Sequence, residues 1–219
     1  MKISHPEKID FQSIRNIIFD WGGVITNINY HATVNAFVEL GLKDFNSYFT
    51  QEQQNSLFRS FEVGELSNEE LRNEIRKAIG KPVTDKQIDE AWCAMLLDTP
   101  SKNIDLIRKV SEKFRIFLLS NTNDIHVPYY NKLLKEALNI DYPALFEKSY
   151  YSHQVGKRKP NADVFEYVLD DSNLKPGETL FIDDTEMHID TAASLGINAL
   201  YLKPGLDIHI VFRYAGISI

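Results

Sequence analysis

An α/β fold, with a parallel sheet interrupted by a block of helices, is what this 219-residue chain predicts. Three observations predict it. Short apolar runs, each closed by a polar or turn residue, recur as candidate buried strands. Helical patterns separate the later runs, which calls for crossover connections and a parallel sheet covered on both faces. The long interval after the first run carries helical periodicity and no convincing strand.

The strands, in order, are Ile17–Phe19, Ile116–Leu119, Lys148–Tyr151, Leu180–Ile182 and Ala199–Leu202. Helices are expected over Asn103–Val110, Ile125–Leu138, Ala162–Leu169 and Met187–Leu195. Residues 28–99 read as about four helices, with apolar spacing at Val34, Phe37 and Val38 and again at Leu71, Ile75 and Ile79. Ser67-Asn68-Glu69-Glu70 has the form of a capping box, and Gly80-Lys81-Pro82 that of a helix stop. The division expected is a core of residues 1–27 and 100–219 with a helical insertion over 28–99.

Composition narrows the function classes. Hydrophobic residues at 43% and charged residues at 25% are enough to build a core without staples. A formal net charge of −7 argues against a general nucleic-acid or anionic-membrane binder. The single cysteine, Cys93, cannot form an internal disulfide, and it is read as core packing on an apolar helix with Trp92, Met95 and Leu96. The start, Met1-Lys2-Ile3-Ser4-His5-Pro6, has no apolar signal core, and no stretch has a membrane helix's length. A cytoplasmic protein is expected. The six histidines form no zinc pattern. There is no Gly-x-Gly-x-x-Gly, no Walker-type lysine and no Gly-x-Ser-x-Gly elbow.

In open parallel sheets, ligands bind beyond the carboxyl ends of the strands. Asp20 follows the first strand, Ser120-Asn121-Thr122-Asn123 the second, and Asp183-Asp184 end the fourth, while Lys159-Pro160 precede a helix after the third. Each is ordinary turn or cap chemistry when taken alone. Together they supply a carboxylate able to attack phosphorus, hard oxygen ligands suited to Mg²⁺, and an ammonium to offset the repulsion between them.

These stations resemble the haloacid dehalogenase superfamily. The resemblance is carried by Ile17-Ile18-Phe19-Asp20-Trp21-Gly22-Gly23-Val24-Ile25, Leu118-Leu119-Ser120-Asn121-Thr122-Asn123, Gly156-Lys157-Arg158-Lys159-Pro160-Asn161 and Leu180-Phe181-Ile182-Asp183-Asp184, in the superfamily's order. Phe61-Glu62-Val63-Gly64-Glu65-Leu66-Ser67 is similar to a turn of its α-helical cap, and the Asp-x-Gly-Gly-Val opening is similar to its small sugar-phosphate phosphatases, of the glucose-1-phosphate phosphatase type. The resemblance implies a Rossmann-like core with sheet order 3-2-1-4-5 and an aspartyl-phosphate at Asp20. It implies Mg²⁺ held by Asp20, Asp184, the Gly22 carbonyl and, through water, Asp183. Lys159 would neutralise Asp20 and the phosphoryl group. Ser120 and the amides of Asn121, Gly22 or Gly23 would hold phosphoryl oxygens. The partner implied is a small phosphorylated metabolite. Trp21, Phe61 and Glu62 are candidate substrate contacts.

The sequence departs from the superfamily at Gly22, where most of its phosphatases carry a second Asp as general acid. That keeps open a metal-independent dehalogenase, which the paired Asp183-Asp184 argue against, and a non-enzymatic binder of a phosphorylated ligand or partner. A phosphomutase, in which the phosphoaspartate passes its group to a sugar, is a further alternative that the absent second Asp argues against. His188 stands where Asn is common and is read as a structural helix residue, with a part in how the metal loop is held as the alternative. His126 is read as surface or helix packing, with a place facing the pocket as the alternative, and Lys157 and Arg158 as solvated.

Overall fold

The computed structural model describes residues 9–42, 45 and 56–214. The N-terminal residues read above for a targeting signal, with His5, lie outside them. Five strands, β1 (Asn16–Phe19), β2 (Arg115–Ser120), β3 (Lys148–Tyr151), β4 (Thr179–Asp183) and β5 (Asn198–Tyr201), form one sheet in the order β3-β2-β1-β4-β5. Every neighbouring pair is parallel. The register sets Phe19 between Leu118 and Ile182, so β1, β2 and β4 run out side by side.

Period-two alternation sorts the strand residues between two cores. Ile17, Phe19, Ile116, Leu118, Leu180 and Ile182 face one of them. Ile18, Phe117, Leu119 and Phe181 face the other, where α8 (Ala162–Asp171) supplies Val164, Phe165 and Val168 and α9 (Glu186–Ser194) supplies Ile189 and Ala192. On the first face lie α5 (Ser101–Ser111), α6 (His126–Leu138) and α10 (His209–Tyr214). Each such Leu, Ile or Phe stabilises the fold by about 1.5–3 kcal/mol. Burial on both sides explains why the strands read as unbroken apolar runs.

The interval after β1 contains, among the described residues, α1 (Tyr30–Leu40), α2 (Ser56–Glu62), α3 (Asn68–Ile79) and α4 (Asp85–Cys93). The capping box is present: Glu70 N–H donates to Ser67 Oγ while Ser67 N–H donates to Glu70 Oε2. Gly80 ends α3 in the left-handed region at φ 71°. A second box at Thr84 and Gln87, not read from the sequence, starts α4. The two connections to the sheet pair with one another: Asn27 N–H donates to the Asp98 carbonyl, Leu97 N–H to that of Asn27, and Asn29 N–H to that of Met95. This ribbon sets the helical block over the carboxyl ends of β1, β2 and β4.

Two helices escaped the sequence reading. The four-residue α7 (Ser152–Val155) is too short for a periodic signal, and α10 follows the last strand. Among the described residues no helix is long and apolar enough to cross a membrane.

Candidate active site

Each chemical station leaves the sheet where its strand ends. Asp20 is the first residue beyond β1, and its N–H donates to the Ile182 carbonyl of β4, so the turn is tied to the sheet. Asp183 is the last residue of β4 and is fully buried. Carboxylate oxygens of Asp20, Asp183 and Asp184 all lie within 4.8 Å of one another. Lys159, 1% exposed, reaches between two of them, with Nζ 2.9 Å from Asp20 Oδ1 and 2.6 Å from Asp183 Oδ2. Its backbone is gripped by the Asn121 side chain, which accepts from Lys159 N–H at 3.0 Å and donates to its carbonyl at 2.9 Å.

Three carboxylates against one ammonium leave the site under-neutralised. Burial raises Asp20 above the usual carboxylate range against the pull of Lys159. Burial, with the charges of Asp20 and Asp183, pushes Asp184 up to about 8. Asp183 goes the other way: Lys159 and His188 overcome burial and hold it at about 2. Burial would lower Lys159, but its two carboxylates keep it above the ordinary lysine value. An all-oxygen set with this excess of negative charge fits a hard divalent cation.

His188, read as structural, sits 3.0 Å through Nδ1 from both oxygens of Asp183, and Thr185 N–H donates to Asp183 Oδ1 at 2.8 Å. Thr185 is the N-cap and His188 a first-turn residue of the helix after β4, a place from which a side chain can turn back on the strand end.

Gly23 departs from its expected part. Its N–H donates to the Thr26 carbonyl at 2.8 Å rather than facing a ligand. Its part is steric: at φ +75°, a Cβ there would overlap Asp184 Oδ2. Gly23→Ala is therefore expected to displace Asp184, on top of a backbone cost of about 1–2 kcal/mol. Mg²⁺ should raise the wild-type Tm, by more at pH 8 than at pH 6, and the variant should lose that shift in a thermal melt. The sign follows from Asp184. Its folded-state pKa lies above its unfolded value, so the metal-free protein loses stability as pH rises toward 8, and a cation restores it.

A cavity of about 90 Å³ encloses these groups. Asp20, Gly22, Ser120, Lys159 and Asp184 line it from the core. Tyr30, Glu62, Trp92 and Met95 line it from the helical block. His126, Tyr130, Arg158 and His188 are also among its lining residues. Tyr30, at the head of α1, is raised far above an ordinary phenol by burial and by the Asp184 and Asp20 charges, so it stays protonated.

Two candidate substrate contacts are elsewhere. Trp21 is 1% exposed and packs against Tyr142 at 4.6 Å and Tyr130 at 6.2 Å between ring centroids, so it belongs to the core. Phe61 is also buried in the core. The chain bends at Trp21, just past the end of β1, and its ring turns into the core while Asp20 lines the cavity. Glu62 does reach the cavity, and there it meets Arg158, with Oε2 3.1 Å from Nη2. Arg158 is thus not solvated. Lys157 is, and it pairs with Asp163 at the surface.

His126 also faces the cavity. Its Nε2 lies 3.1 Å from the Trp92 carbonyl, its ring stacks on Trp92 at 4.9 Å, and burial lowers it to about 4. Cys93, by contrast, is pushed up to about 12 by burial and the Asp89 charge. At pH 8 its thiolate fraction is on the order of 10⁻⁴. Iodoacetamide should therefore leave the native protein unlabelled and modify Cys93 only after unfolding, as mass spectrometry would read.

Comparison with known proteins agrees with this geometry. The family model of haloacid dehalogenase-like hydrolases matches residues 14–196. A D-ribitol-5-phosphate phosphatase of Bacteroides thetaiotaomicron is 33% identical over 199 residues, covering 89% of this chain and 94% of that protein. A wild-type haloacid dehalogenase family enzyme from the same organism, crystallised with magnesium and inorganic phosphate, superposes with a TM-score of 0.85 at 36% identity, over 91% of this chain and all of that one. A haloacid dehalogenase-like hydrolase from Porphyromonas gingivalis gives a TM-score of 0.83 at 35% identity, over 92% and 97%. The chain belongs to the haloacid dehalogenase-like hydrolase family.

Proposed function

We propose that this protein is a Mg²⁺-dependent phosphohydrolase that releases phosphate from small sugar or polyol phosphates by way of an aspartyl-phosphate at Asp20. The observation that carries the reading is Asp20 itself, held by a buried lysine beside two further acids at the floor of the cavity between core and helical block. Asp20, Asp184 and the Gly22 carbonyl would hold the cation, with Asp183 behind them. Bound Mg²⁺ supplies positive charge that offsets the crowded carboxylates and the phosphoryl oxygens.

Asp20 Oδ attacks phosphorus as the bond to the leaving oxygen breaks. Lys159 neutralises the attacking carboxylate and a phosphoryl oxygen, and Ser120 with the Asn121 and Gly22 amides holds the remaining oxygens. Because position 22 has no side chain, the leaving oxygen takes its proton from a water held within the site or from a cap residue. Water then attacks phosphorus of the acyl phosphate, releasing phosphate and restoring the Asp20 carboxylate. Residues 28–99 act as the cap and residues 1–27 and 100–219 as the catalytic core. The closed cap excludes bulk water during the first step.

Cavity size supports a small substrate, and similarity to a ribitol-phosphate phosphatase supports a hydroxyl-rich one. A cytoplasmic setting, supported by the lone buried Cys93, is part of the same reading. A phosphate-release screen over sugar, alditol and alkyl phosphates tests it. Release with Mg²⁺ and none with chelator is expected, and chelator-resistant release would contradict it.

A further inference from the structure

We propose that Glu62 of the cap and Arg158 of the core form a hydroxyl-reading clamp that selects polyhydroxylated phosphate esters over esters of equal length without hydroxyls. The inference rests on the phosphohydrolase reading and adds the part of the site that recognises the organic end of the substrate.

Both side chains line the cavity that holds Asp20, one from each side of the cap–core boundary. Arg158 lines the same cavity as Asp20 and Lys159, so what it touches shares the space of the reacting phosphoryl group. Glu62 is 7% exposed, and the Arg158 side chain 16%. A carboxylate facing the cavity would repel a phosphoryl group, so Glu62 must serve a neutral part of the substrate. Arg158 cannot act as an unopposed anion receptor, because Glu62 balances its charge at 3.1 Å. The pair therefore offers acceptors on one side and donors on the other with no net charge. That is the complement of neighbouring hydroxyls, each of which donates one hydrogen bond and accepts others. It is a poor complement to a second phosphate or a carboxylate.

Two further observations point the same way. Arg158 Nε is buried without a hydrogen-bond partner in the protein, a donor whose satisfaction calls for a ligand. His126 lines the same cavity and is neutral, and since a carbonyl can only accept, its Nε2 carries the hydrogen and donates to Trp92. Its Nδ1 is thereby left as an acceptor, again suited to a hydroxyl.

The test compares ribitol 5-phosphate with n-pentyl phosphate, two primary esters of the same chain length. Both release a primary alcohol, and the somewhat greater acidity of ribitol's is common to wild type and variants, so the change in the ratio of their kcat/KM values on substitution reads hydroxyl recognition. Wild type is expected to favour ribitol 5-phosphate by about 10²-fold or more. Glu62→Gln and Arg158→Gln should each shrink that ratio by about 10-fold or more, chiefly through KM. Equal turnover of the two esters by wild type would overturn the clamp, and this needs no variant to fold. Losses of equal size on both esters would also overturn it, because they would mark Glu62 or Arg158 as serving the chemical step or the cap's position. Phosphate release from neither ester would instead overturn the phosphohydrolase reading on which the clamp depends.

Discussion

Asp20→Asn is expected to lose phosphate release by at least about 10⁴-fold, the scale seen when a covalent nucleophile is removed. The amide has the shape of the carboxylate but is a far weaker nucleophile, so the first step has no attacking atom. What makes the variant informative is its expected stability. Asp20 is a buried charge whose pKa is raised by burial and by Asp183, and Lys159 keeps a second partner in Asp183 at 2.6 Å. Neutralising Asp20 relieves repulsion among the three acids. The metal-free variant should therefore melt at or above the wild-type Tm. A dead enzyme that is also unfolded would leave the nucleophile unidentified, whereas a dead enzyme that is equally stable identifies it.

Lys159→Met should fail in both respects. Methionine fills the volume of the side chain but supplies no charge, so Asp20 and Asp183 lose the cation that both contact. Breaking a buried pair by removing one partner costs about 3–5 kcal/mol, and losing a positive charge at the reacting phosphoryl group costs about 10²–10³-fold in kcat. The pH dependence has a definite sign. In wild type the depressed Asp183 pKa stabilises the fold above the usual carboxylate range, and that contribution is lost as pH falls toward about 2. Without Lys159 the burial cost of ionised carboxylates is unopposed, so the variant's deficit should grow from pH 5 to pH 8. Urea unfolding at the two pH values reads this. The double variant with Asp20→Asn should recover part of the loss, because the two side chains are in contact.

Much of this architecture was legible in the sequence for physical reasons. Strands buried on both faces leave unbroken apolar runs, and β3, polar in composition, was placed at Lys148–Tyr151 as the structure has it. The carboxyl-end rule brought Asp20, Ser120, Lys159, Asp183 and Asp184 to one place, and they line or floor one cavity, Asp183 from beneath. What stayed hidden depended on partners far off in the chain. Arg158 sits in a Lys-Arg-Lys run, which reads as solvated charge until Glu62 arrives from the cap. Trp21 adjoins the nucleophile in sequence, yet Tyr130 and Tyr142 claim it for the core. His188 carried a usable signal in its place one turn into the helix after Asp183, but a lone helical histidine has no signature of its own. Gly23 was expected to give an amide, and only the approach of Asp184 reveals that its missing side chain is what matters.

The central claim, a phosphoryl group passed to Asp20, is tested most directly by trapping. Wild-type enzyme turning over a phosphate ester with Mg²⁺ is quenched with borohydride, which reduces an acyl phosphate to a primary alcohol. Peptide mass spectrometry should then find homoserine at position 20, with one carboxyl oxygen exchanged for two hydrogens, and only when substrate is present. Active enzyme that yields an unmodified Asp20, or a trapped product at another acid, would contradict the account.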